Sequence, residues 1–561
     1  MFLRDWAWRA TMVRLQTPMS ILPLLPILIL LGGVIALLLC RAARIVHYDA
    51  VASAATLLAV AAIILLAIPD LSIRETLISS WQPITVFGAP VTLRVDRPDW
   101  LIGLVATLAC AATALAGIAY PGLRRFGPRA LALGMTAALV AAVFSANLLT
   151  LALAWGLFDA FFVIAALMHG EESAAGRRAA FAIGFNIAAT LCLWIAALAI
   201  NQGNESQYWH LTRLPEPARQ FLVLAAVLRL GLYPFSQWLP AEREDVPGRV
   251  VLLYVLPPVA GLHLLIRLAN LSALPEEPAA MWFAALSVLA GGALAWWRGG
   301  SRDALPYLSL SILGTVVLAA IAGGAPAAPH AILSSGAVSW TLAMVTLSLS
   351  HGFQRRAPWW SLGQALAVAA LVGMPASAGF SVRVSLAAAA ASGGDGLLLI
   401  CVVTGEALAF ATLARLLTTS SPFRIPRTLK DVASYVPAIA LVALPPFLLP
   451  ALARQAVPDI APPAFAVVLP SLGILGGIIF LLPIALGIVL EWLRRERRIT
   501  MHVDPSRGLS LDWLYSLIFR FTDLFAGALN RLSAASEGEG AVVWALLILI
   551  AAYAVLTGAI Q

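Results

Sequence analysis

The chain consists of long apolar runs separated by short polar stretches. Each run has about 18 or more residues, enough to cross the ~30 Å hydrocarbon core of a bilayer. The pattern predicts about sixteen membrane-spanning helices. They lie near residues 21–40, 51–69, 100–118, 129–147, 148–168, 179–200, 220–239, 249–269, 279–297, 304–324, 328–350, 361–382, 396–418, 433–454, 465–491 and 540–560. The sequence therefore indicates an all-α polytopic membrane protein, with 14–16 transmembrane helices expected.

Three zones follow from the spacing of these runs. Residues 1–99 contain N-terminal helices and an external loop, in which the alternation at Val91–Val95 predicts a short hairpin. Residues 100–420 form a dense core of spans. Residues 421–561 contain C-terminal helices, an amphipathic connector over Leu511–Leu532 and a final transmembrane helix.

The composition excludes a soluble protein. Hydrophobic residues make up 61% of the chain and charged residues only 11%, whereas soluble domains are about one quarter charged. The sequence has no Walker loop, nucleotide fingerprint, zinc-ligand spacing or nucleophile–base constellation. The four cysteines lie singly in apolar runs. We therefore expect no catalytic residue, no metal and no cofactor bound by this chain.

The positively charged residues are distributed unevenly between the loops. The formal net charge is +8, and arginines such as Arg124, Arg177 and Arg298 collect in the loops after odd-numbered spans. Positive residues in short loops face the cytoplasm. We therefore expect the odd-numbered loops to be cytoplasmic, the N-terminus to lie outside, the location to be a bacterial inner membrane, and no nucleic acid to bind.

The basic residues are almost all arginines. Lysine and arginine total 36, and Lys430 is the sole lysine, which leaves 35 arginines. An arginine stays protonated at any working pH, whereas a buried lysine can release its proton. The charges inside the apolar runs are therefore permanent.

Two apolar runs are interrupted beside an arginine. The stretch from Arg229 to Pro240 has Pro234 in mid-span, and the stretch from Gly373 to Arg383 contains Pro375 and Gly379. Such interruptions leave unpaired backbone groups that need a cavity or a partner. Paired interruptions in two halves of a chain are typical of an inverted repeat.

With these motifs the chain resembles the antiporter-like subunits of complex I (NADH:quinone oxidoreductase), membrane-bound hydrogenases and Mrp antiporters. The seventh span of that family typically reads Lys-Ser-Ala-Gln-Phe-Pro-Phe-His-x-Trp-Leu-Pro. This chain keeps its Pro-Phe and Trp-Leu-Pro, with Arg229 at the lysine and Ser236 at the histidine. Four further motifs match in order, over roughly residues 80–420. They are represented by Asn147 and Trp155; by Ala260, Gly261 and Arg267; by Tyr307, Ser311 and Gly314; and by Gly373, Pro375, Gly379, Phe380 and Arg383.

The departures from the family pattern concern proton carriers. Gly156 stands where the family has the glutamate that pairs with the seventh-span lysine, but Asp159 lies three residues on, near the same helix face. We expect Asp159 to pair with Arg229. A family histidine falls on Leu253, and a family histidine–lysine pair falls on Ser334 and Val338.

The resemblance implies two inverted five-helix repeats and a membrane-arm, proton-translocating type of subunit without a redox centre of its own. NAD, FMN, iron–sulfur clusters and quinone are then expected only in partner subunits. The implied partners are other antiporter-like and small membrane subunits, a hydrophilic electron-transfer arm and the lipid bilayer. The residues placed on the proton pathway are Asp159, Arg229, His263, Arg383 and Glu406.

Several alternatives stay open at this point. His263 is either a satisfied polar residue of the interior or a proton relay, and Glu406 is either a proton site or the partner of Arg383. Protons still pass, or the pathway is degenerate and the subunit is mainly structural. A subunit of a cation/proton antiporter or of an ion-driven inorganic-carbon transporter is the alternative function.

Overall fold

The computed structural model describes residues 21–496, except 46, 67–73, 80–88, 120–125, 169–172, 204, 239–250, 276, 299–303, 323–327, 351–360, 393–394, 419–428 and 457–471. Beyond residue 496 it describes only Leu517, Arg520, Leu524 and Gly527, all in helical conformation. The expected final span and most of the amphipathic connector lie outside the described residues. Residues 1–502 form one compact unit and residues 503–561 a second.

Seventeen helices and one two-stranded hairpin form the described part of the chain. In chain order they are α1 (Leu25–Ala42), α2 (Tyr48–Leu65), β1 (Arg74–Ser79), β2 (Val91–Val95), α3 (Arg97–Ala119), α4 (Phe126–Val143), α5 (Leu148–Leu167), α6 (Ser173–Gln202), α7 (Glu216–Leu230), α8 (Val251–Asn270), α9 (Pro278–Arg298), α10 (Leu305–Ile321), α11 (Pro329–Ser350), α12 (Leu362–Val372), α13 (Ala378–Ala391), α14 (Gly396–Thr418), α15 (Leu429–Ala443), α16 (Pro445–Ala456) and α17 (Gly473–Arg495). Short 3₁₀ turns cover Leu22–Leu24 and Phe235–Trp238.

The membrane character of the chain is confirmed. Within the described residues, 12 helices are long and apolar enough to cross a membrane. Three further expected spans are too short as single helices. The first is the 15-residue α7, the second is the 17-residue α10, and the third is divided into α12 and α13. The sixteenth expected span, 540–560, is not among the described residues. The division into inverted repeats remains a prediction.

The expected hairpin is present and lies against the turn between α4 and α5. Strands β1 and β2 are antiparallel, with Leu77 opposite Thr92. The amide of Arg94 donates to the Phe144 carbonyl at 2.7 Å, and the amide of Thr92 donates to Thr150 Oγ1 at 3.1 Å. These bonds attach the hairpin to the end of α4 and the start of α5.

Helix α11 is the centre of the unit. Every residue in its most apolar 18-residue window is buried. It packs against α3, α8, α10, α12, α13 and α15. The polar side chains of α11 therefore face protein on all sides.

Helices α9 and α14 approach each other closely through glycines. A Cβ on Gly292 would overlap the carbonyl of Gly405, and a Cβ on Gly405 would lie 2.6 Å from the Val288 carbonyl oxygen. Small residues let helix backbones approach in this way in membranes. Because Gly405 precedes Glu406, this contact also fixes the position of that carboxylate.

We predict that Gly292→Ala destabilises the protein by about 1 to 3 kcal/mol, because the added methyl group forces α9 and α14 apart. Thermal unfolding of the purified protein in detergent measures the effect. Gly184→Ala is the matched control, since a Cβ there meets nothing within 4 Å. Equal melting temperatures for the two variants would contradict the close packing.

Candidate functional site

Both interruptions begin with a left-handed glycine. Helix α7 ends at Gly231, which has φ 64°, and α12 ends at Gly373, which has φ 73°. A glycine in this conformation is a common helix C-cap. Pro234 lies in the turn between Gly231 and the 3₁₀ turn at Phe235, and Pro375 lies in the turn between α12 and α13. The structure therefore places a break at both expected positions.

Gly379 allows the two helices on either side of the second break to pack closely. It lies in the first turn of α13, and a Cβ on it would overlap the Ala370 carbonyl of α12. Gly373 is equally confined, because a Cβ there would lie 2.8 Å from Arg383 Cγ. The two halves of this broken helix thus touch through their glycines and bring Arg383 against the break.

Arg229 occupies a fully enclosed site just before the first break. Its side chain is 0% exposed, and its Nη1 donates to Asp159 Oδ1 at 2.5 Å and to Asn186 Oδ1 at 2.9 Å. Thr190 donates to the other oxygen of Asp159 at 2.5 Å. The contact between Asp159 and Arg229 is the one expected from the sequence, whereas Asn186 and Thr190 of α6 were not anticipated.

Aromatic rings complete the surroundings of Arg229. Its guanidinium carbon lies 4.3 Å from the ring centre of Trp155 and 5.0 Å from that of Phe158. Cation–π contacts of this kind stabilise a desolvated guanidinium. Within the described residues, Nε and Nη2 of Arg229 have no hydrogen-bond partner. The charge is therefore held by one carboxylate, one amide and two rings.

Arg383 has a similar environment just after the second break. Its Nη2 lies 3.4 Å from Glu406 Oε2, and its guanidinium carbon lies 4.6 Å from the Phe410 ring centre and 4.8 Å from that of Phe480. It also donates to the carbonyls of Val372, at 2.9 Å, and Phe480, at 2.7 Å. Glu406 is therefore the ion-pair partner of Arg383, and its role as a proton site remains a proposal.

His263 belongs to a separate buried cluster. Its Nε2 lies 2.9 Å from Asp99 Oδ1, and Arg267 donates to Asp99 Oδ2 at 2.7 Å. Arg267 also donates to the carbonyl of Ser145 at 3.1 Å. The cluster ties the start of α3 to α8 and to the turn between α4 and α5. His263 is thus a hydrogen-bonded residue of the interior, and a relay role remains a prediction.

Two further buried pairs involve arginines that the sequence analysis did not single out. Arg129 Nε donates to Asp49 Oδ1 at 2.9 Å, between α4 and α2. Arg415 Nε donates to Glu491 Oε2 at 3.3 Å, between α14 and α17. Glu491 is 5% exposed. The sequence did hold a signal for these pairs, because each charged residue lies within one helical turn of the end of a predicted span.

Helices α10 and α11 bury hydroxyl groups, and their titratable side chains, Tyr307 and His330, are half-buried. Within the described residues of α10 and α11, every buried residue classed as polar or charged is a serine or threonine. They are Ser309, Ser311, Thr315, Ser334, Ser335, Ser339, Thr341, Thr346, Ser348 and Ser350. Several donate to the carbonyl one turn earlier in their own helix, as Ser334 does to His330 at 2.7 Å.

The described residues hold no group of three or more His, Cys, Asp and Glu that could bind a metal ion. A permanently charged arginine beside one carboxylate can hold a charge in place, and the carboxylate is the member of the pair that can exchange a proton.

We predict that Asp159→Asn destabilises the protein by about 3 to 5 kcal/mol, because it leaves Arg229 as an uncompensated buried charge. Replacing both residues, as Asp159→Leu with Arg229→Met, removes the charge as well and should recover most of that loss. Melting temperatures of the purified variants provide the measurement.

Glu216→Gln is the control, because Glu216 forms an exposed pair with Arg219 at 2.8 Å. Exposed pairs contribute little to stability. A double variant that is less stable than Asp159→Asn alone would contradict the account of this site.

We predict that Asp99→Asn lowers the melting temperature more than His263→Gln does. The Asp99 carboxylate lies 2.7 Å from Arg267, whereas the Asp96 carboxylate lies 3.8 Å from it. The loss of Asp99 should cost about 3 to 5 kcal/mol, against about 1 kcal/mol for one neutral hydrogen bond at His263. The reverse order of melting temperatures would show that the histidine holds the cluster together.

Comparison with known proteins agrees with this architecture. A family described as NADH:quinone oxidoreductase/Mrp antiporter, transmembrane region, matches residues 145–409. NADH-quinone oxidoreductase subunit 14 of Thermus thermophilus is 30% identical over 251 residues, which cover 41% of this chain and 58% of that protein. Subunit N of Thioalkalivibrio sulfidiphilus is 25% identical over 189 residues, covering 30% and 39%. The chain thus spans 58% or less of these two curated relatives.

Solved structures share the fold. An Mrp complex from Dietzia sp. aligns with a TM-score of 0.69 at 18% identity, covering 96% of this chain and 63% of the matched chain. Respiratory complex I from Thermus thermophilus aligns with a TM-score of 0.56 at 23% identity, covering 77% and 98%. With its two breaks and the match over residues 145–409, the chain is similar to antiporter-like membrane subunits of the NADH:quinone oxidoreductase and Mrp antiporter family.

Proposed function

We propose that the chain is an antiporter-like membrane-arm subunit of a complex I-related NADH/quinone oxidoreductase assembly. The support comes from the relatives, which are subunits 14 and N of NADH-quinone oxidoreductases. The two broken helices with embedded arginines support the same assignment, because such breaks line ion pathways in membrane transporters.

Within that role, the proton pathway is weakened or serves only a structural purpose. The observation that supports this is that all buried polar residues of α10 and α11 among the described residues are serines or threonines. A proton relay needs groups whose pKa crosses the working range when a partner leaves. Hydroxyls do not titrate near neutral pH, and the guanidinium groups keep their protons. The two arginine–carboxylate pairs are then separate ion pairs that do not pass protons to each other.

The remaining parts of the proposal concern the surroundings of the subunit. It lies in a bacterial inner membrane, as its bacterial relatives suggest. Its N-terminus is outside, as the arginine-rich odd-numbered loops indicate. Its partners are other antiporter-like and small membrane subunits and a hydrophilic electron-transfer arm. NAD, FMN, iron–sulfur clusters and quinone are bound by those partners.

A subunit of a cation/proton antiporter is the second candidate. The observation that favours it is the alignment with the Mrp complex, which covers 96% of this chain. That likeness is one of fold at 18% identity, whereas the curated relatives named above are oxidoreductase subunits.

Purification from native membranes separates the two candidates. We expect an affinity-tagged chain to co-purify with membrane and hydrophilic oxidoreductase subunits and with NADH-dependent quinone reduction, because a membrane-arm subunit is held by its neighbours. An untagged strain is the control. Recovery of cation-antiporter subunits alone, without quinone reductase activity, would contradict the proposal.

A further inference from the structure

Three arginines share one carboxylate where α9, α14 and α17 end. Arg415 and Arg494 both donate through Nε to Glu491 Oε2, at 3.3 and 3.2 Å. Arg495 donates through Nε to the other oxygen of Glu491 at 3.4 Å. Arg415 of α14 also donates to the Trp296 carbonyl of α9 at 3.0 Å. This arginine cluster, formed by Arg415, Arg494 and Arg495, therefore joins the ends of the three helices.

The positive charges at this end of the bundle exceed the negative ones. Arg298, which is exposed, follows Trp296 by two residues and adds a fourth guanidinium. The described carboxylates here are Glu491 and the exposed Glu496. Four positive and two negative charges leave a local net charge of +2. Because like charges in close proximity repel each other, an anion bound here lowers the electrostatic free energy of the cluster.

The three arginines differ in their exposure. The side chain of Arg415 is 2% exposed, whereas those of Arg494 and Arg495 are 37% and 45% exposed. Among the described residues, the hydrogen bonds of Arg494 and Arg495 run through Nε to Glu491. A guanidinium has five N–H donors. The two outer arginines can therefore bind a further acceptor while they keep their bonds to Glu491.

The end of α17 has the features of a helix end at the membrane surface. The helix has 23 residues, a length of about 35 Å, which exceeds the ~30 Å hydrocarbon core. Trp492 is 50% exposed just before the two outer arginines. Exposed tryptophans mark the level of the lipid headgroups in membrane proteins. Arg494 and Arg495 are thus expected at the level of the lipid phosphates.

The outer face of α17 is apolar and uncovered by the described residues. Of the twelve candidate spans it is the least buried, with 22% of its most apolar window inside the protein. Large apolar side chains are exposed along its length up to the level of Trp492. They include Ile478, Leu481, Leu482, Leu486, Ile488 and Val489. Apolar surface therefore continues directly below the charged end of the helix.

We propose that this end of α17 binds an anionic phospholipid. Its phosphate group contacts Arg494 and Arg495, and its acyl chains lie along the exposed apolar side chains of α17. A guanidinium matches the geometry of a phosphate group with two parallel hydrogen bonds. Under the proposed orientation these arginines are on the cytoplasmic side, where anionic lipids attract basic segments next to spans.

A lipid at this place also holds α17 against its neighbours. A Cβ on Gly487 would lie 2.8 Å from the Ala407 carbonyl oxygen, so the backbones of α17 and α14 are in close contact. Arg415 links the same two helices to α9 through Glu491 and the Trp296 carbonyl. A phosphate bound to the outer arginines adds a further tie to this cluster. Bound lipid is therefore expected to raise the melting temperature.

Lipid titration of the full-length chain tests the site. The chain is purified in a neutral detergent and freed of lipid, and its melting temperature is followed while dioleoyl phosphatidylglycerol is added. Dioleoyl phosphatidylcholine has the same acyl chains without a net charge, and inorganic phosphate has the charge without the chains. We expect phosphatidylglycerol to stabilise the protein at a concentration at least tenfold lower than phosphatidylcholine does, and phosphate to have no effect.

Two matched double variants locate the site. Arg494→Gln with Arg495→Gln should require about tenfold more phosphatidylglycerol. Its melting temperature without lipid should equal that of the native chain, because Glu491 keeps its bond to Arg415. Arg41→Gln with Arg44→Gln makes the same change of charge at two exposed arginines at the end of α1. This control should need less than twofold more phosphatidylglycerol.

Four results would overturn the proposal. Equal midpoints for the two lipids would indicate unspecific boundary lipid, and an equal loss in the control variant would indicate attraction by overall charge. Stabilisation by phosphate alone would indicate an adventitious ion only. No effect of either lipid would indicate that a partner helix covers α17. The titration involves neither quinone reduction nor ion transport, so its result is independent of the proposed function.

Discussion

The structure depends on one electrostatic constraint: a permanently charged guanidinium inside membrane helices must have a carboxylate beside it. Each buried arginine among the described residues meets this constraint. The pairs are Arg94–Asp96, Arg129–Asp49, Arg229–Asp159, Arg267–Asp99, Arg383–Glu406 and Arg415–Glu491. All but the first join different helices, so the charges fix helix positions that apolar contacts alone would leave free to slide.

The same constraint shapes what the subunit can do. Arg229 precedes its break and Arg383 follows the other, and each has one carboxylate and two aromatic rings. The described buried polar residues of α10 and α11 are all serines and threonines. This observation supports the proposed weakening of the proton pathway.

Local spacing in the sequence predicted the membrane helices and both breaks. The resemblance to the family, in which a glutamate pairs with the seventh-span lysine, led to the expected contact of Asp159 with Arg229. The sequence did not reveal that Asp99 lies against Arg267, or that Glu491 lies against Arg415. Those partners are far apart in the chain, and only the packing of α3 on α8 and of α14 on α17 brings them together. Charges near the ends of apolar runs were also assigned to loops, since hydropathy does not distinguish an exposed arginine from one that is paired within a bundle.

The central proposal is that the proton pathway through Arg229 and Asp159 is weakened or only structural. The most direct test is the number of protons translocated per NADH oxidised, measured in vesicles containing the assembled complex. The native chain is compared with the Asp159→Leu, Arg229→Met double variant, with equal amounts of assembled complex. The account predicts the same stoichiometry for both, whereas a loss of one or more protons per NADH in the variant would contradict it.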